Sequence, residues 1–176
     1  PVRFRPGQRL RTWHRNCIAI GLSASFIEPL ESTTIHLIQR GIVHLLQMFP
    51  HVVTQPAIDQ YNTQLGSELQ HVRDFVVLHY ALTNRRRMVS SMDLPPSLEH
   101  RIELFRETGS VFRVPNELFA ENSWIQVMMG QGVLPSGHHP TAEVMGESEL
   151  KRFLDEIRAN VIATADRLPS HMDYMR

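Results

Sequence analysis

The sequence predicts a mainly α-helical chain with a short strand at its N-terminal end. From Ser32 onward, apolar residues recur every three to four positions in several segments interrupted by proline and glycine, which is typical of amphipathic helices. Residues 16–27 instead form a run of small and apolar residues without helical spacing, which favours a buried strand that leads into a loop. Little else in the sequence indicates strands, so helices are expected to dominate.

The first elements follow from this pattern. Residues 1–15 carry five arginines among proline and glycine and are predicted to form a turn-rich segment before the strand. The first helix begins at Ser32 and is stopped by Pro50, because proline lacks the backbone N–H that would continue a helix. The second helix opens at Pro56 and is expected to end near Thr83.

The middle of the sequence continues the helical pattern. Residues 84–93 contain three consecutive arginines and are predicted to be a solvated polar connection. The third helix starts at the two prolines before Ser97, and Gly109 is predicted to cap its C-terminal end. A shorter helix is expected around residues 117–129, ending at the glycines of residues 130–132. These glycines follow a helix instead of a strand, so a dinucleotide-binding loop is not predicted there.

The C-terminal part is predicted to hold a loop and one long helix. Residues 133–146 contain prolines and glycines and are expected to be irregular. The apolar residues from Leu150 to Leu168 then form the most regular amphipathic pattern of the sequence, which Pro169 closes.

Composition excludes several classes of protein. The charges of the 18 basic and 18 acidic residues cancel, so the formal net charge is zero, which argues against a general nucleic-acid binder. The apolar runs are too short for a membrane span. Cys17 is the single cysteine, which excludes a disulfide framework and a cysteine-rich zinc site and predicts a reducing, cytoplasmic location. The ten histidines form no H-E-x-x-H motif, so no metal site is predicted.

The most informative segment lies between the strand and the first helix. Two carboxylates, Glu28 and Glu31, precede the hydroxyl residues Ser32, Thr33 and Thr34. These hydroxyl groups suit the capping of a helix, and carboxylates suit the positive end of its dipole. Alternatively, the free backbone N–H groups of a helix start bind an anion, and a carboxylate beside them can serve as a general base.

The same segment resembles a family signature. Residues 13–23 fit the pattern W-x-x-N-C-x-A-x-G-L-S, and residues 28–33 read E-P-L-E-S-T. This combination resembles the flavin-dependent tryptophan halogenases. Similarity continues downstream and covers nearly the whole sequence, at Ile35-His36-Leu37-Ile38-Gln39, Phe49-Pro50, Tyr61-Asn62, Arg73-Asp74-Phe75, Leu78-His79-Tyr80, Trp124, Gly130-Gln131-Gly132 with Pro135, and His139-Pro140.

The resemblance implies a fold, an activity and partners. It implies the C-terminal helical module of an FAD-dependent α/β halogenase, with residues 1–31 as a remnant of the flavin-binding domain and residues 32–176 covering the substrate. In that family, reduced FAD and oxygen convert a bound halide to hypohalous acid, which halogenates an aromatic substrate such as tryptophan or another indole. A separate flavin reductase supplies the reduced FAD. A homodimer is a further expectation.

The resemblance also implies roles for individual residues. By position, Glu31 is the catalytic carboxylate, Thr33 and Thr34 form the halide site, and Leu22 and Ile35 contact the flavin. The family's flavin-binding G-x-G-x-x-G motif and its catalytic lysine have no counterpart in these residues. Because the sequence opens on proline instead of methionine, we expect a piece of a longer protein that is inactive by itself.

Departures from the family concern the substrate. Lys151, the one lysine, lies on the polar side of the last predicted helix. The tyrosine pair that clamps free tryptophan in the family is missing between Val111 and Trp124, and Phe112, Phe119 and Trp124 are candidates for an aromatic pocket. The substrate therefore need not be free tryptophan. A flavin monooxygenase that hydroxylates without halide, and an inactive helical interaction module derived from a halogenase, are the alternative functions.

Overall fold

The computed structural model describes residues 6–27, 29–81 and 94–175. Helices dominate these residues, as predicted: α1 (Thr34–Gln47), α2 (Gln55–Ala81), α3 (Pro96–Thr108), α4 (Glu121–Gly130), α5 (Glu147–Ala165) and α6 (His171–Tyr174). The described strands are two residues long: β1 (Gly7–Gln8), β2 (Trp13–His14), β3 (Cys17–Ile18) and β4 (Ser25–Phe26). The chain divides into two compact units, Pro1–Gly137 and His138–Arg176.

Residues 16–27, predicted to form a buried strand that leads into a loop, contain two strands of two residues each. β3 pairs antiparallel with β2, β4 pairs antiparallel with β1, and a 3-10 turn at Gly21–Ser23 separates β3 from β4. Gly21 has a φ of +64°, a left-handed conformation that interrupts an extended chain. The run is also only partly buried: most of its residues are half-buried, Leu22 is 64% exposed and Ala24 is buried.

The N-terminal segment is held on α2 by one asparagine. Oδ1 of Asn62 accepts from the backbone N–H of Thr12 and of Trp13, both at 2.8 Å, and from the Thr12 hydroxyl at 2.9 Å. Nδ2 of Asn62 donates to the Trp13 carbonyl at 2.9 Å. Trp13 is buried and packs edge-on against Tyr61, with ring centroids 5.5 Å apart. The segment that leads to Glu31 is therefore anchored to the longest helix.

α1 begins after an unusual backbone turn. Ser32 has a φ of +51°, which non-glycine residues rarely adopt, and Thr33 is the N-cap residue. Within the described residues, the Thr33 side chain makes no capping hydrogen bond, so capping by its hydroxyl is not what the structure uses. α1 packs on α2 at Gly41, whose carbonyl accepts from the Tyr61 hydroxyl at 3.2 Å.

A buried ion pair joins α1 to α2. The Glu68 carboxylate, 4% exposed, accepts from Arg40 through Nη2 at 2.5 Å and Nε at 3.0 Å. Nε2 of His44 lies 2.9 Å from the same carboxylate, and the His44 side chain is also buried. Burial lowers the pKa of the neighbouring His36 below its ordinary value, and the hydrogen bond to Glu68 raises the pKa of Arg40. This group fixes the facing surfaces of the two helices.

A second core lies between α2, α3 and α4. Its fully buried members include Phe75, Leu78, Leu98, Phe105, Trp124 and Met128. Gly109 caps α3 with a φ of +67°, and Gly132 closes α4 with a φ of +86°, as the sequence predicted. The predicted start of α4 near Glu117 is wrong: this helix begins at Glu121, because the Glu117 carboxylate is buried and accepts from Arg101 and from the Val114 N–H.

The C-terminal unit departs from prediction in detail. The expected irregular loop at 133–146 contains a 3-10 helix, Pro140–Val144, and α6 follows Pro169 where no element was predicted. α5 spans Glu147–Ala165, three residues earlier at each end than the predicted span. The predicted end of α2 at Thr83 and the arginines of residues 85–87 lie outside the described residues. None of the helices in the described ranges is long and apolar enough to cross a membrane.

Candidate functional site

Glu31 ends a 3-10 turn immediately before α1. The turn spans Pro29–Glu31, and the left-handed Ser32 separates Glu31 from Thr33, the N-cap residue of the helix. About a third of the Glu31 side chain is exposed, and its Oε1 lies 3.1 Å from Nε2 of His79 on α2. The structure therefore brings the predicted catalytic carboxylate against a histidine that is distant in the sequence.

The His79 ring is fixed by its own helix. Its Nδ1 lies 2.8 Å from the carbonyl of Phe75, one turn earlier on α2. The ring also packs edge-on against the Phe75 ring, with centroids 5.0 Å apart. These two contacts set the direction in which Nε2 points, and that direction is toward Glu31.

Aromatic rings continue from the histidine into the core. Phe75 stacks on Phe119 with centroids 3.7 Å apart and an interplanar angle of 20°, and it meets Trp124 edge-on at 4.8 Å. Trp124 is 1% exposed and belongs to the core, whereas Phe112 is 62% exposed. Of the three candidates for an aromatic pocket, Phe119 and Trp124 therefore pack on Phe75, the ring that contacts His79, whereas Phe112 does not join this group.

The start of α1 carries the two predicted halide-binding residues. Thr33 is buried at 4% exposure, and Thr34 is half-buried. The Leu37 N–H donates to the Thr33 carbonyl at 3.0 Å, so the amides of residues 34–36 precede the first bond of the helix. Such amides, at the positive end of the helix dipole, can bind a small anion.

The two predicted flavin-contacting residues present apolar side chains to solvent in this chain. Leu22 is 64% exposed and Ile35 is 69% exposed. The turn that carries Leu22 packs on α1, since a Cβ added at Gly21 would lie 2.9 Å from Cγ1 of Ile38. The structure thus brings Leu22 to the helix on which Ile35 lies, and Ile35 directly follows Thr33 and Thr34.

A cavity of about 310 Å³ lies on another side of Trp124 and does not include Glu31 in its lining. Its buried charges are paired: Arg101 with Glu117, and Asp74 with Arg73 at 2.6 Å, and the Asp74 carboxylate also accepts from the Ser97 hydroxyl at 2.5 Å. The Arg101 guanidinium also lies over the Trp124 ring, 4.1 Å from its centroid. These contacts account for the charged groups that face the cavity.

The described histidines show no arrangement that holds a metal ion. In residues 6–27, 29–81 and 94–175, no cluster of three or more histidine, cysteine, aspartate or glutamate side chains could bind one. His138 instead lies 3.2 Å from Glu143, and Nδ1 of His139 accepts from the Thr141 N–H at the start of a 3-10 helix.

Sequence reasoning missed the contact between His79 and Glu31. Nothing near His79 in the sequence points to Glu31. The available signal was the spacing of Phe75 and His79, four residues apart on one helix, which places both side chains on the same face.

Comparisons with known proteins identify the family. The tryptophan halogenase family profile matches residues 1–147. The tryptophan 6-halogenase SttH of Streptomyces toxytricini is 31% identical over 98% of this chain and 35% of its own length. Among solved structures, the flavin-dependent halogenase Xcc4156 of Xanthomonas campestris is 56% identical with a TM-score of 0.92 over 99% of this chain and 36% of its own. BrvH, a flavin-dependent halogenase of Brevundimonas sp. BAL3, is 40% identical with a TM-score of 0.90, and covers 98% of this chain and 36% of its own.

The family assignment rests on agreement between sequence and fold. The structural match extends over almost the whole chain, and the chain spans about a third of the length of the relatives it matches. The resemblance read from residues 13–33 is confirmed by these comparisons, since SttH, Xcc4156 and BrvH are halogenases. The chain belongs to the tryptophan halogenase family.

Proposed function

We propose that this chain forms one side of the active site of a flavin-dependent halogenase that acts on an aromatic, tryptophan- or indole-like substrate. The observation that carries the proposal is the position of Glu31, a partly exposed carboxylate held against His79, whose ring packs on Phe75. A partly exposed carboxylate that is held in position suits a reaction in which an aromatic ring must lose a proton.

In this proposal, Glu31 accepts the ring proton or polarises the oxidant. When the halogen has added to the ring, the C–H bond at that carbon breaks, its electron pair restores the aromatic ring, and the proton moves to a carboxylate oxygen of Glu31. The backbone amides at Thr33 and Thr34 hold the halide, because unpaired N–H groups at a helix start attract anions.

Reduced FAD fits the surface next to these amides. Leu22 and Ile35 present exposed apolar side chains near the start of α1, as contact with a flat ring system requires. When bound, reduced FAD together with molecular oxygen would supply the oxidant that converts halide to hypohalous acid. A separate flavin reductase would deliver it in reduced form, and residues 1–31 would belong to the flavin-binding domain. A homodimer and a cytoplasmic location also stay predictions.

The activity is tested in a chimera in which this chain replaces the matching third of Xcc4156. With a flavin reductase, halide and an indole substrate, mass spectrometry should detect halogenated product. Glu31→Gln should lower turnover about 10²- to 10⁴-fold with little change in flavin binding. The matched control is Glu103→Gln, which removes an exposed carboxylate on α3 and should leave turnover unchanged.

Other outcomes would overturn the proposal. Oxygenated product that forms regardless of halide would indicate the monooxygenase. A folded chimera that makes no product while Xcc4156 does so would indicate the inactive module. The isolated chain should be inactive in the same assay, because its residues lack the flavin-binding motif and the catalytic lysine of the family.

A further inference from the structure

The helix α1 is apolar on two opposite faces, and in the described residues only one of them is covered. The covered face packs on α2, where the Tyr61 hydroxyl reaches the Gly41 carbonyl. The outer face carries four large apolar side chains: Ile35, Ile42, Leu46 and, two residues after the helix ends, Phe49. A helix that is apolar all round is typical of an element that is buried on every side.

The four side chains lie in line along the outer face. Their positions are separated by seven, four and three residues, which are the intervals that return to the same side of a helix. Leu46 in the middle of the line is 67% exposed, and Phe49 at its end is 71% exposed. The outer face of α1 is therefore one continuous apolar surface.

Charge is missing from this surface. Between residues 34 and 53 the one charged residue is Arg40, and its guanidinium is turned toward α2, where it binds Glu68. A helix face that stays in water usually carries several charged side chains. Contiguous apolar patches of this kind mark surfaces that bind another part of a protein.

We propose that the outer face of α1 is the docking surface for the flavin-binding part of the same polypeptide, which the relatives possess in addition to the residues matched here. The match covers 36% of Xcc4156 and 36% of BrvH, so most of either polypeptide lies outside it. The inference rests on the proposed function for the place of the flavin. Ile35 begins the outer face and is a proposed flavin contact, so the surface that continues from it along α1 faces the part that holds the flavin.

The size of the surface favours this occupant over a second copy of the chain. The four side chains together expose on the order of 450 Å², whereas each partner in a stable interface buries about 800 Å². A surface of this size is too small to hold a dimer by itself. It suffices as one section of a larger contact within a single polypeptide, because the ends of that contact are already joined by the chain.

Docking of this face also has a consequence for the proposed halide site. α1 begins at Thr34, and the backbone amides that are proposed to hold the halide lie in its first turn. Because the helix is one rigid element, a contact along its outer face fixes these amides relative to the flavin. The outer face thus joins the two halves of the proposed site.

Cysteine labelling measures whether the face is covered. Leu46→Cys places a thiol in the middle of the outer face, and Glu103→Cys places one on an exposed side of α3 as the matched control. Each variant is treated with a maleimide in the 176-residue chain and in the chimera with Xcc4156. Mass spectrometry of the peptide that carries the new cysteine gives its labelling rate.

In the isolated chain, both thiols should react at similar rates that do not depend on protein concentration. In the chimera, Leu46→Cys should react about 10²-fold more slowly or less, because a covered thiol is reached only through local opening, whereas Glu103→Cys should change less than about threefold. Ile42→Cys should follow Leu46→Cys, since it lies on the same face. The same cysteines at the matching positions of Xcc4156 repeat the test in an intact relative if the chimera does not fold.

Three results would overturn the proposal. Equal labelling of Leu46→Cys in the chain and in the chimera would show that the face stays in solvent. Labelling of the isolated chain that slows as concentration rises, with a dimer in light scattering, would assign the face to a second copy. Slow labelling of the isolated chain at every concentration would assign it to another part of this chain. Labelling needs no turnover, so protection in an inactive chimera would support the docking and confine the failure to the proposed function.

Discussion

Glu68→Ala is predicted to be among the most destabilising single substitutions in the first unit. It removes the acceptor shared by Arg40 and His44 and leaves both side chains between α1 and α2 without that partner. Breaking a buried ion pair in this way costs about 3–5 kcal/mol. The Arg40 side chain is 27% exposed and can turn toward water, so we expect the lower end of the range, about 3 kcal/mol.

The assay is equilibrium unfolding in urea. With a slope of about 2 kcal/mol per molar urea, a loss of about 3 kcal/mol lowers the midpoint by about 1.5 M. It should also lower the Tm by about 6–12 °C. Glu68→Gln keeps an oxygen that accepts from Arg40 and should lose only about 1–2 kcal/mol. Glu103→Ala, on an exposed face, should change stability by less than about 0.5 kcal/mol.

The measured loss of stability in Glu68→Ala decides whether the buried pair has the expected effect. A loss below about 1 kcal/mol in Glu68→Ala would mean that the pair contributes no more than an exposed ion pair does. A triple variant with Arg40→Met, His44→Leu and Glu68→Leu tests whether the loss of stability comes from buried charge that is left unpaired. Because no charge is then left unpaired, it should be about as stable as the parent chain or more so. A triple variant as unstable as Glu68→Ala would show that the cost does not come from unpaired buried charge.

Two further predictions concern the N-terminal segment and pH. Asn62→Ala removes four hydrogen bonds to Thr12 and Trp13, so it should cost about 2 kcal/mol and abolish the hydrogen-exchange protection of both amides; retained protection would contradict the anchoring role. Burial lowers the pKa of His36 in the folded chain, so the unfolded chain binds the proton more readily and stability is lost as pH falls through and below the ordinary value of 6.5. His36→Gln should therefore show a smaller drop in urea midpoint between about pH 7.5 and about pH 5.5, and an equal drop would rule out His36 as a source of acid sensitivity.

Local physics explains which elements were predictable. α3 follows from the prolines at its start and from Gly109, whose left-handed conformation ends the helix, and both signals depend on a few adjacent residues. α4 could not be placed in the same way. Its start depends on Glu117, which is drawn into the core by Arg101 from another helix, so the tertiary ion pair overrides the local pattern.

The strand prediction was incomplete for a related reason. The apolar pattern of residues 16–27 contains no signal that divides it. In the structure, Gly21 adopts a left-handed conformation and packs against Ile38, and the chain bends there, so that β3 pairs with β2 and β4 pairs with β1. The candidate site also combines local and distant residues. Residues 31–35 could be proposed from the sequence because they are contiguous and follow the family signature. His79, in contrast, reaches Glu31 only through the packing of α2 beside the turn.

The strained backbone at Ser32 belongs to the site and not only to the fold. Glu31 faces α2, whereas the amides from Thr33 onward run along the axis of α1. Ser32 is the one residue between Glu31 and Thr33, so the chain has to change direction there. A left-handed residue costs about 1–2 kcal/mol without glycine, and such strain persists where the surrounding structure fixes it. Here the Glu31–His79 contact on one side and the first bond of α1 on the other fix it. The conformation of Ser32 therefore lets one short segment present a carboxylate and an anion-binding helix start side by side, which is the arrangement that the proposed halogenation requires.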